Sequence, residues 1–567
     1  MSDKVHQLAK PSKDEGGVLL RCIWQPALFA ARPKRFEVAA LKAEWPLQEV
    51  RVRVHRNHSF EHVVSSAQKW MNWWGRSLEM SIGDYDDSLS FALDDHSKGD
   101  MELVWIDVGR FSEKSISGWL FDRIQALRSF STTPIILATV GTDQANRQEI
   151  GQKLEGIPAA FHCPIEEICF LEESEMFSAR TAPLTGTRLT DSALMMVARA
   201  FACHWIPWAL NVHRKAIVVD LDNTLYSGVL GEQGIKDLIL TPGYVSLQKT
   251  LVQMKERGIL LALASRNEES DVKAMFEKRP DFPLRWKDFT ARSIGWHDKT
   301  LGLREIAENL RIGYESLVFV DDNPGELASI ASLFPEVGLV HAHFNPAITE
   351  QTLKFFPGLS KSKIKVEDKI RKADLEANQE RGYLAKKALS QEAHLHSLEV
   401  KLDIYTNRKE QLGRMAELSQ KTNQFNLSLQ RYSETDLEKM LEDPAVTIAT
   451  IALRDRLSES GIIGLVVMRK KEESLEIEEL CISCRALGRH LEDLMIGQAL
   501  VPVIGNRSDK PSLIFQYKKG PRNSPGLNWL ARRGSCNLGE SGFASVVWWG
   551  KEIIAIADMV STILHQE

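Results

Sequence analysis

Cysteine is scarce in this sequence, with seven in 567 residues. A disulfide framework belongs to short, cysteine-dense secreted chains, so none is expected, and the odd count leaves at least one thiol outside any such bond. A reduced cytoplasmic setting is the corresponding expectation. Long apolar runs are missing too. The longest, residues 193–210 (ALMMVARAFACHWIPWAL), carries Arg199 and His204 and is interrupted by Pro207. That pattern predicts a buried helix rather than a membrane span. No sign of charge dominates: the net charge is −5, which leaves no electrostatic footprint for nucleic acid. The opening residues MSDKVHQLAKPSKDEGG are polar and mixed in charge, unlike a signal or transit peptide. Fixed-period repeats and low-complexity tracts are absent, which excludes solenoids and arrays.

What is present describes a multidomain α/β protein. Hydrophobic residues make up 43% and charged residues 26%, an ordinary globular balance. At ~150 residues per domain the length predicts three or four domains. Residues 1–47 read as a partly irregular arm. Over 48–210, the apolar runs VRVRV, ELVWIDV and PIILATV alternate with helical stretches, which predicts a parallel sheet. Trp70, Trp73 and Trp74 fall at helical spacing there and read as core. Residues 211–361 repeat the alternation with AIVVD, ILLALAS and SLVFVDD. Residues 362–396 are charged in alternation and proline-free, an exposed connecting helix by that pattern. Residues 397–567 form a last unit with strands TIATIALR, GIIGLVVMR and SLEIEELCI.

The middle unit carries the chemistry. Asp220 and Asp222 follow the strand AIVV in DLDNT, Ser265 ends ILLALAS, and Asp321 and Asp322 end SLVFVDD. Strand ends on one edge of a parallel sheet are where α/β ligand sites form. A carboxylate that attacks a phosphate monoester is repelled by it, so a divalent cation must neutralise the charge. Hard carboxylate oxygens favour Mg2+ for that cation. Lys299 can neutralise charge on the phosphoryl group, and Ser265 can hydrogen-bond one of its oxygens. About 43 residues separate Asp222 from Ser265 and about 34 separate Ser265 from Lys299, too few in either gap for an inserted cap domain. Only LYSGVLGEQGI, after Thr224, is left to form a flap, so an uncapped site closed by a partner is expected.

DLDNT…S…K…DD resembles the phosphatase-like branch of the haloacid-dehalogenase (HAD) superfamily. The resemblance implies a Rossmann-like domain in which Asp220 forms an aspartyl-phosphate and Asp222 acts as general acid, then base. Thr224, Ser265 and Lys299 would hold the phosphoryl group. Magnesium would be held by Asp220, the Asp222 carbonyl and the pair Asp321 and Asp322, either of which could be the direct ligand. LDNTLYSGVLGE, ALASRNEESDV and FVDDNPGE resemble a narrower group, the FkbH-like proteins of polyketide biosynthesis. KTNQFNLSLQRY, GIIGLVVM and LCISCRALGRHLE resemble that group's carboxy-terminal region, a degenerate GNAT-like α+β acyltransferase fold. The resemblance covers roughly residues 50–550. It implies an enzyme that dephosphorylates a bisphosphorylated glycerate and leaves the glyceryl group as a thioester on the phosphopantetheine arm of an acyl carrier protein. A stand-alone Mg2+-dependent phosphatase with a docking or dimerising last unit is the alternative.

Two further segments bear on function. Residues 485–490 (RALGRH) follow an apolar strand and precede a helix, so backbone amides with Arg485, Gly488 and Arg489 could bind a phosphate of coenzyme A or phosphopantetheine. A solvated strand-to-helix turn is the other reading. Cys481 and Cys484 form a lone C-x-x-C without a second ligand pair for zinc. Cys484, beside Arg485, is either an activated thiol that carries the glyceryl group or a buried inert one. The first layer is similar to an SGNH hydrolase, but Asn57-His58-Ser59 stands where the nucleophile motif would be and no D-x-x-H follows. A non-catalytic structural or docking layer is expected.

Overall fold

The computed structural model describes residues 13–91, 99–111, 116–168, 173–180, 182–362, 373–375, 377, 378, 380, 381, 384, 391–487, 489, 491–505, 512–534, 537–550 and 560–565. They form two compact units, Met1–Ile364 and Lys365–Glu567.

The first unit holds two parallel sheets built from short apolar runs. β1 (Gln48–Arg56), β2 (Arg76–Tyr85), β3 (Met101–Asp107), β4 (Ile135–Val140) and β5 (Ala160–Pro164) are ordered β2-β1-β3-β4-β5, with every pairing parallel. β3 and β4 are buried along their whole length, as continuous apolar strands covered on both faces must be. The second sheet contains β6 (Ala216–Val219), β7 (Leu260–Ser265), β8 (Phe289–Ile294), β9 (Leu317–Asp321) and β10 (Gly338–His341), in the order β10-β9-β6-β7-β8. It too is all parallel. The chain leaves β6 toward β7 and β8, then crosses back to β9. The crevice between β6 and β9 is therefore the switch point of the sheet, open at the carboxyl ends of both strands.

Of the expected partly irregular arm, residues 1–12 lie outside the described residues and residues 13–47 hold two helices. Lys13–Leu28 is a helix and Arg35–Ala39 a short second one. The first lies against the helices Glu61–Trp73 and Pro324–Leu333 and against β10. Trp70 and Trp73 are buried and donate their indole N–H groups to the carbonyls of Leu28 (3.1 Å) and Arg21 (3.0 Å); Trp74 is half-buried. One apolar core runs from Trp24 through both sheets to Leu359. The run beginning at residue 193 is buried helix, Asp191–Ala200 continuing through a π-turn at Phe201–Trp205 into Ile206–Ala209. Among the described residues no helix is long and apolar enough to cross a membrane.

The second unit is a mixed eight-stranded sheet. β11 (Lys401–Thr406), β12 (Phe425–Asn426), β13 (Val446–Arg454), β14 (Glu459–Lys470), β15 (Ser474–Ile482), β16 (Ser512–Lys518), β17 (Ser541–Val546) and β18 (Ser561–His565) are arranged β17-β16-β15-β14-β13-β11-β18, with β12 on β15. β15 pairs with β16 in parallel only over Ser474–Ile477. Farther along it pairs with β12 at Cys481 and Ile482. Where β15 and β16 part, residues 425–427 bridge them: Leu427 N–H donates to Leu480 O (3.1 Å) and Lys518 N–H to Leu427 O (2.8 Å). The segment expected as an exposed connecting helix is part of this unit. Asp374, Leu375, Ala377 and Arg381 are buried, and Arg381 donates to both carboxylate oxygens of Asp455 (2.7 and 3.0 Å). Asp374 and Arg381 pair with the β13–β14 turn instead of facing water, while Glu380 is exposed and most of residues 362–396 lie outside the described residues.

Candidate active site

Four of the singled-out side chains meet at the switch point. Asp220 leaves β6, Asp321 ends β9, Asp322 follows it, and Lys299 opens the helix Lys299–Leu310. Lys299 Nζ lies 3.0 Å from Asp220 Oδ1 and 2.6 Å from Asp321 Oδ2. Oxygens of Asp220, Asp321 and Asp322 all fall within 4.8 Å of one another, the one such metal-capable group among the described residues. The helix places Lys299 because Asp298 caps it, accepting from Thr300 N–H at 2.8 Å. Asp321 Oδ1 accepts from Asn323 N–H (2.9 Å), so both its oxygens have protein partners.

Asp222 and Ser265 form a second group beside the first. The Asp222 carboxylate is not in the metal-capable group. It accepts from Tyr226 Oη (2.7 Å), Leu230 N–H (2.9 Å) and Asn267 Nδ2 (2.8 Å), which leaves its backbone carbonyl as the group it could offer a cation. Asn267 also donates to Ser265 Oγ at 3.0 Å and so ties two expected site residues together. Thr224 is buried, and its hydroxyl has no hydrogen-bond partner among the described residues. After Thr224 the chain makes a small flap with one helical turn, Leu230–Gln233, closed by a bridge between Ser227 and Ile239. Gly228 (φ +117°) permits the tight turn, and its N–H is held by Asn223 Oδ1 at 3.0 Å. No other insertion separates β6 from β7 or β7 from Lys299.

Charge balance shows what the site lacks within the protein itself. Three clustered carboxylates face one ammonium, and water has been removed from most of them. Burial, with Asp321 adding repulsion, pushes the Asp220 carboxyl up to about 7 against the pull of Lys299. Burial, then Asp321, also raises Asp322. Burial alone would lower Lys299, but Asp220 and Asp321 outweigh it and hold the ammonium above its ordinary value. A divalent cation would relieve the remaining negative charge, and the all-oxygen donor set fits a hard one. Tyr226 and Asn267 carry no signal in a periodicity reading. An S-x-N pair just past a strand end is the one trace that marks Asn267.

The carboxy-terminal candidates are disposed differently. Cys484 and Arg485 lie in a half-buried turn after β15, and Gly488 and His490 fall outside the described residues. Arg489 is not presented to a ligand, as a phosphate-binding role requires. Its guanidinium is buried against Asp374 and Asp455 (3.3 Å each) and donates to Ser460 Oγ at 2.9 Å, because two buried carboxylates claim it. The helix beyond begins only at Glu492, and its first turn already carries Glu492 and Asp493, which complement its dipole in place of a phosphate. Cys481 is buried in β15, and burial pushes its thiol far up. In the first layer, Ser59 Oγ donates to Glu61 (2.7 Å) while His58 Nδ1 meets Thr187 Oγ1 (3.1 Å). Burial holds His58 down at about 3. Hydroxyl and imidazole are engaged elsewhere, so they do not form a nucleophile–base pair.

No protein-family model and no curated protein matches the chain. Among solved structures it is similar to the amino-terminal part of protein BF1531 from Bacteroides fragilis, described as containing a phosphatase domain complexed with Mg. The identity is 19%, covering 56% of this chain and 96% of that one, with a TM-score of 0.44. A fungal multidomain GH3 β-N-acetylglucosaminidase with a GCN5-related glucosamine N-acetyltransferase region gives 12% identity. It covers 91% of this chain and 66% of that one, with a TM-score of 0.16.

Proposed function

We propose that the second sheet of the first unit carries a Mg2+-dependent phosphoryl-transfer site of HAD type, with Asp220 as nucleophile. The observation that carries this is the meeting of Asp220, Lys299, Asp321 and Asp322 at a switch-point crevice with uncompensated negative charge. Asp220 and Asp322 would hold the cation directly, with the Asp222 carbonyl, while Asp321 orients Lys299. Asp322 is the better ligand of the pair because both Asp321 oxygens are already engaged. The cation supplies the neutralisation that lets one anion approach another.

Asp220 attacks phosphorus, and the bond from phosphorus to the leaving oxygen breaks as Asp222 gives that oxygen a proton. Asp222 then takes a proton from a water that attacks the aspartyl-phosphate, which releases phosphate and restores Asp220. Tyr226, Leu230 N–H and Asn267 fix the Asp222 carboxylate for both steps. Ser265 and the unpartnered Thr224 hydroxyl suit phosphoryl oxygens, and Lys299 neutralises the charge developing on them.

The substrate reading rests on the resemblance to FkbH-like proteins. It is a bisphosphorylated glycerate whose glyceryl group passes to the phosphopantetheine thiol of an acyl carrier protein. A thiol attacks the acyl carbon of the acyl phosphate, the bond from that carbon to the phosphate oxygen breaks, and inorganic phosphate leaves with the glyceryl group held as a thioester; Cys484 is the thiol that would do so first if transfer has two stages. The burial of Arg489 and the acidic turn at Glu492 favour the second reading, a phosphatase whose second unit only docks or dimerises. Incubation with bisphosphorylated glycerate and a carrier separates the two. A three-carbon mass gain on the carrier, diminished by Cys484→Ala if that thiol takes part, supports the transferase. Phosphate release with an unloaded carrier contradicts it.

A further inference from the structure

The helix Lys13–Leu28 reaches the active site through one side chain. Gln25 is buried at 1% exposure on the side of the helix that meets β10. Its amide pairs with the backbone of His341, the last residue of β10, as a neighbouring strand would. His341 N–H donates to Gln25 Oε1 (2.8 Å), and Gln25 Nε2 donates to His341 O (3.0 Å). The ring of His341 then turns to the acidic loop, where Nε2 bonds the backbone carbonyl of Asp322 at 3.0 Å. A carbonyl can only accept, so Nε2 carries the hydrogen. The same helix packs on Pro324–Leu333, which begins two residues after Asp322. Both ends of the Asp321–Asp322 loop are thus braced by an element more than 290 residues away in sequence.

Such a bridge has a specific physical use. Asp322 is only half-buried and its carboxylate accepts from its own backbone N–H; among the described residues no donor of another residue fixes where it points. A carbonyl held at 3.0 Å fixes the peptide from which that side chain projects. A ligand placed before the cation arrives costs less to order, and partners behind metal ligands are worth about 10–100-fold in metal affinity. We propose that Gln25 and His341 are positioning residues that set the divalent-cation affinity of the acidic loop. The proposal rests on the phosphoryl-transfer reading above and adds to it a contribution from outside the second sheet.

The test is Mg2+ binding to the purified full-length protein by isothermal titration calorimetry, with thermal unfolding alongside. Gln25→Ala and His341→Ala each weaken Mg2+ binding about tenfold, the low end of what such partners contribute. His341→Gln, whose amide restores a donor near the position of Nε2, recovers most of the loss. The double variant is no worse than the weaker single one, since both break one chain of contacts. Ile23→Ala, an exposed position on the same helix, leaves binding unchanged. If Gln25→Ala lowers the yield of folded protein, His341→Ala carries the test, because it keeps the helix docked and removes only the last link. Wild-type Mg2+ affinity in His341→Ala overturns the inference and leaves the phosphoryl-transfer reading standing. Failure of the wild type to bind Mg2+ overturns both.

Discussion

Glu479 shows burial outweighing the hydrogen bonds and charge that oppose it at a single side chain. It is fully buried in β15, and one oxygen accepts from Ser419 Oγ (3.0 Å) and Asn426 Nδ2 (2.9 Å) while the other has no partner among the described residues. Burial pushes its carboxyl up to about 7, against the pull of those two bonds and Arg431. The folded state therefore keeps the proton to higher pH than the unfolded chain does. The resulting stabilisation is complete below the ordinary carboxylate range and is lost as pH rises through about 7. Its size is at most about 3 kcal/mol. Glu479→Gln removes the titration, so the wild type loses thermal stability relative to this variant between pH 5 and pH 8. Parallel melting curves across that range would contradict the assignment. At the candidate site, Asp220, Ser265, Lys299 and the Asp321–Asp322 pair can be picked out from the sequence because three of the positions end or follow apolar strands. Asn267, Tyr226, His341 and Gln25 were not legible. One hydrogen-bonding side chain leaves no trace in periodicity or composition, and its partner can lie hundreds of residues away.

Among elements, the helix Lys299–Leu310 is the one whose geometry the site depends on most. Its first residue is Lys299 and its cap is Asp298, so cap and active-site lysine are neighbours. Removing the cap in Asp298→Ala should cost about 1 kcal/mol of stability. It should also lower turnover more than a loss of that size elsewhere in the unit, since the first turn carries Lys299. Asp298→Asn, which still accepts from Thr300 N–H, should restore both in thermal melts and steady-state rates. A rate unchanged by Asp298→Ala would show that Asp220 and Asp321 hold Lys299 without help. The strands that read clearly were the buried ones. β3, β4, β6, β7 and β9 are nearly all apolar, whereas β2 (RSLEMSIGDY) and β8 (FTARSI) mix polar residues into edge positions and gave no run to recognise. The helix Lys13–Leu28 was hidden by the polar residues before it and by Pro26 within it. Asp374 and Arg381 read as part of a solvated face because a buried ion pair and an exposed one have the same composition.

At the scale of the whole molecule, the first unit acts as a frame that brings an amino-terminal helix, two parallel sheets and one crevice into register. Among the described residues of the first unit, the short flap after Thr224 borders the crevice, with Leu230 N–H donating to Asp222. Whether Asp220 attacks phosphorus decides the proposed chemistry. The direct measurement is rapid acid quench of the protein turning over an acyl or ester phosphate with Mg2+, followed by peptide mass spectrometry. The expected result is a phosphoryl adduct on Asp220 in the wild type and more of it in Asp222→Asn, where the second step lacks its base. Asp220→Asn should show no adduct and a loss of phosphate release by several orders of magnitude. An adduct on another residue, or more than about a tenth of wild-type turnover in Asp220→Asn, would contradict it.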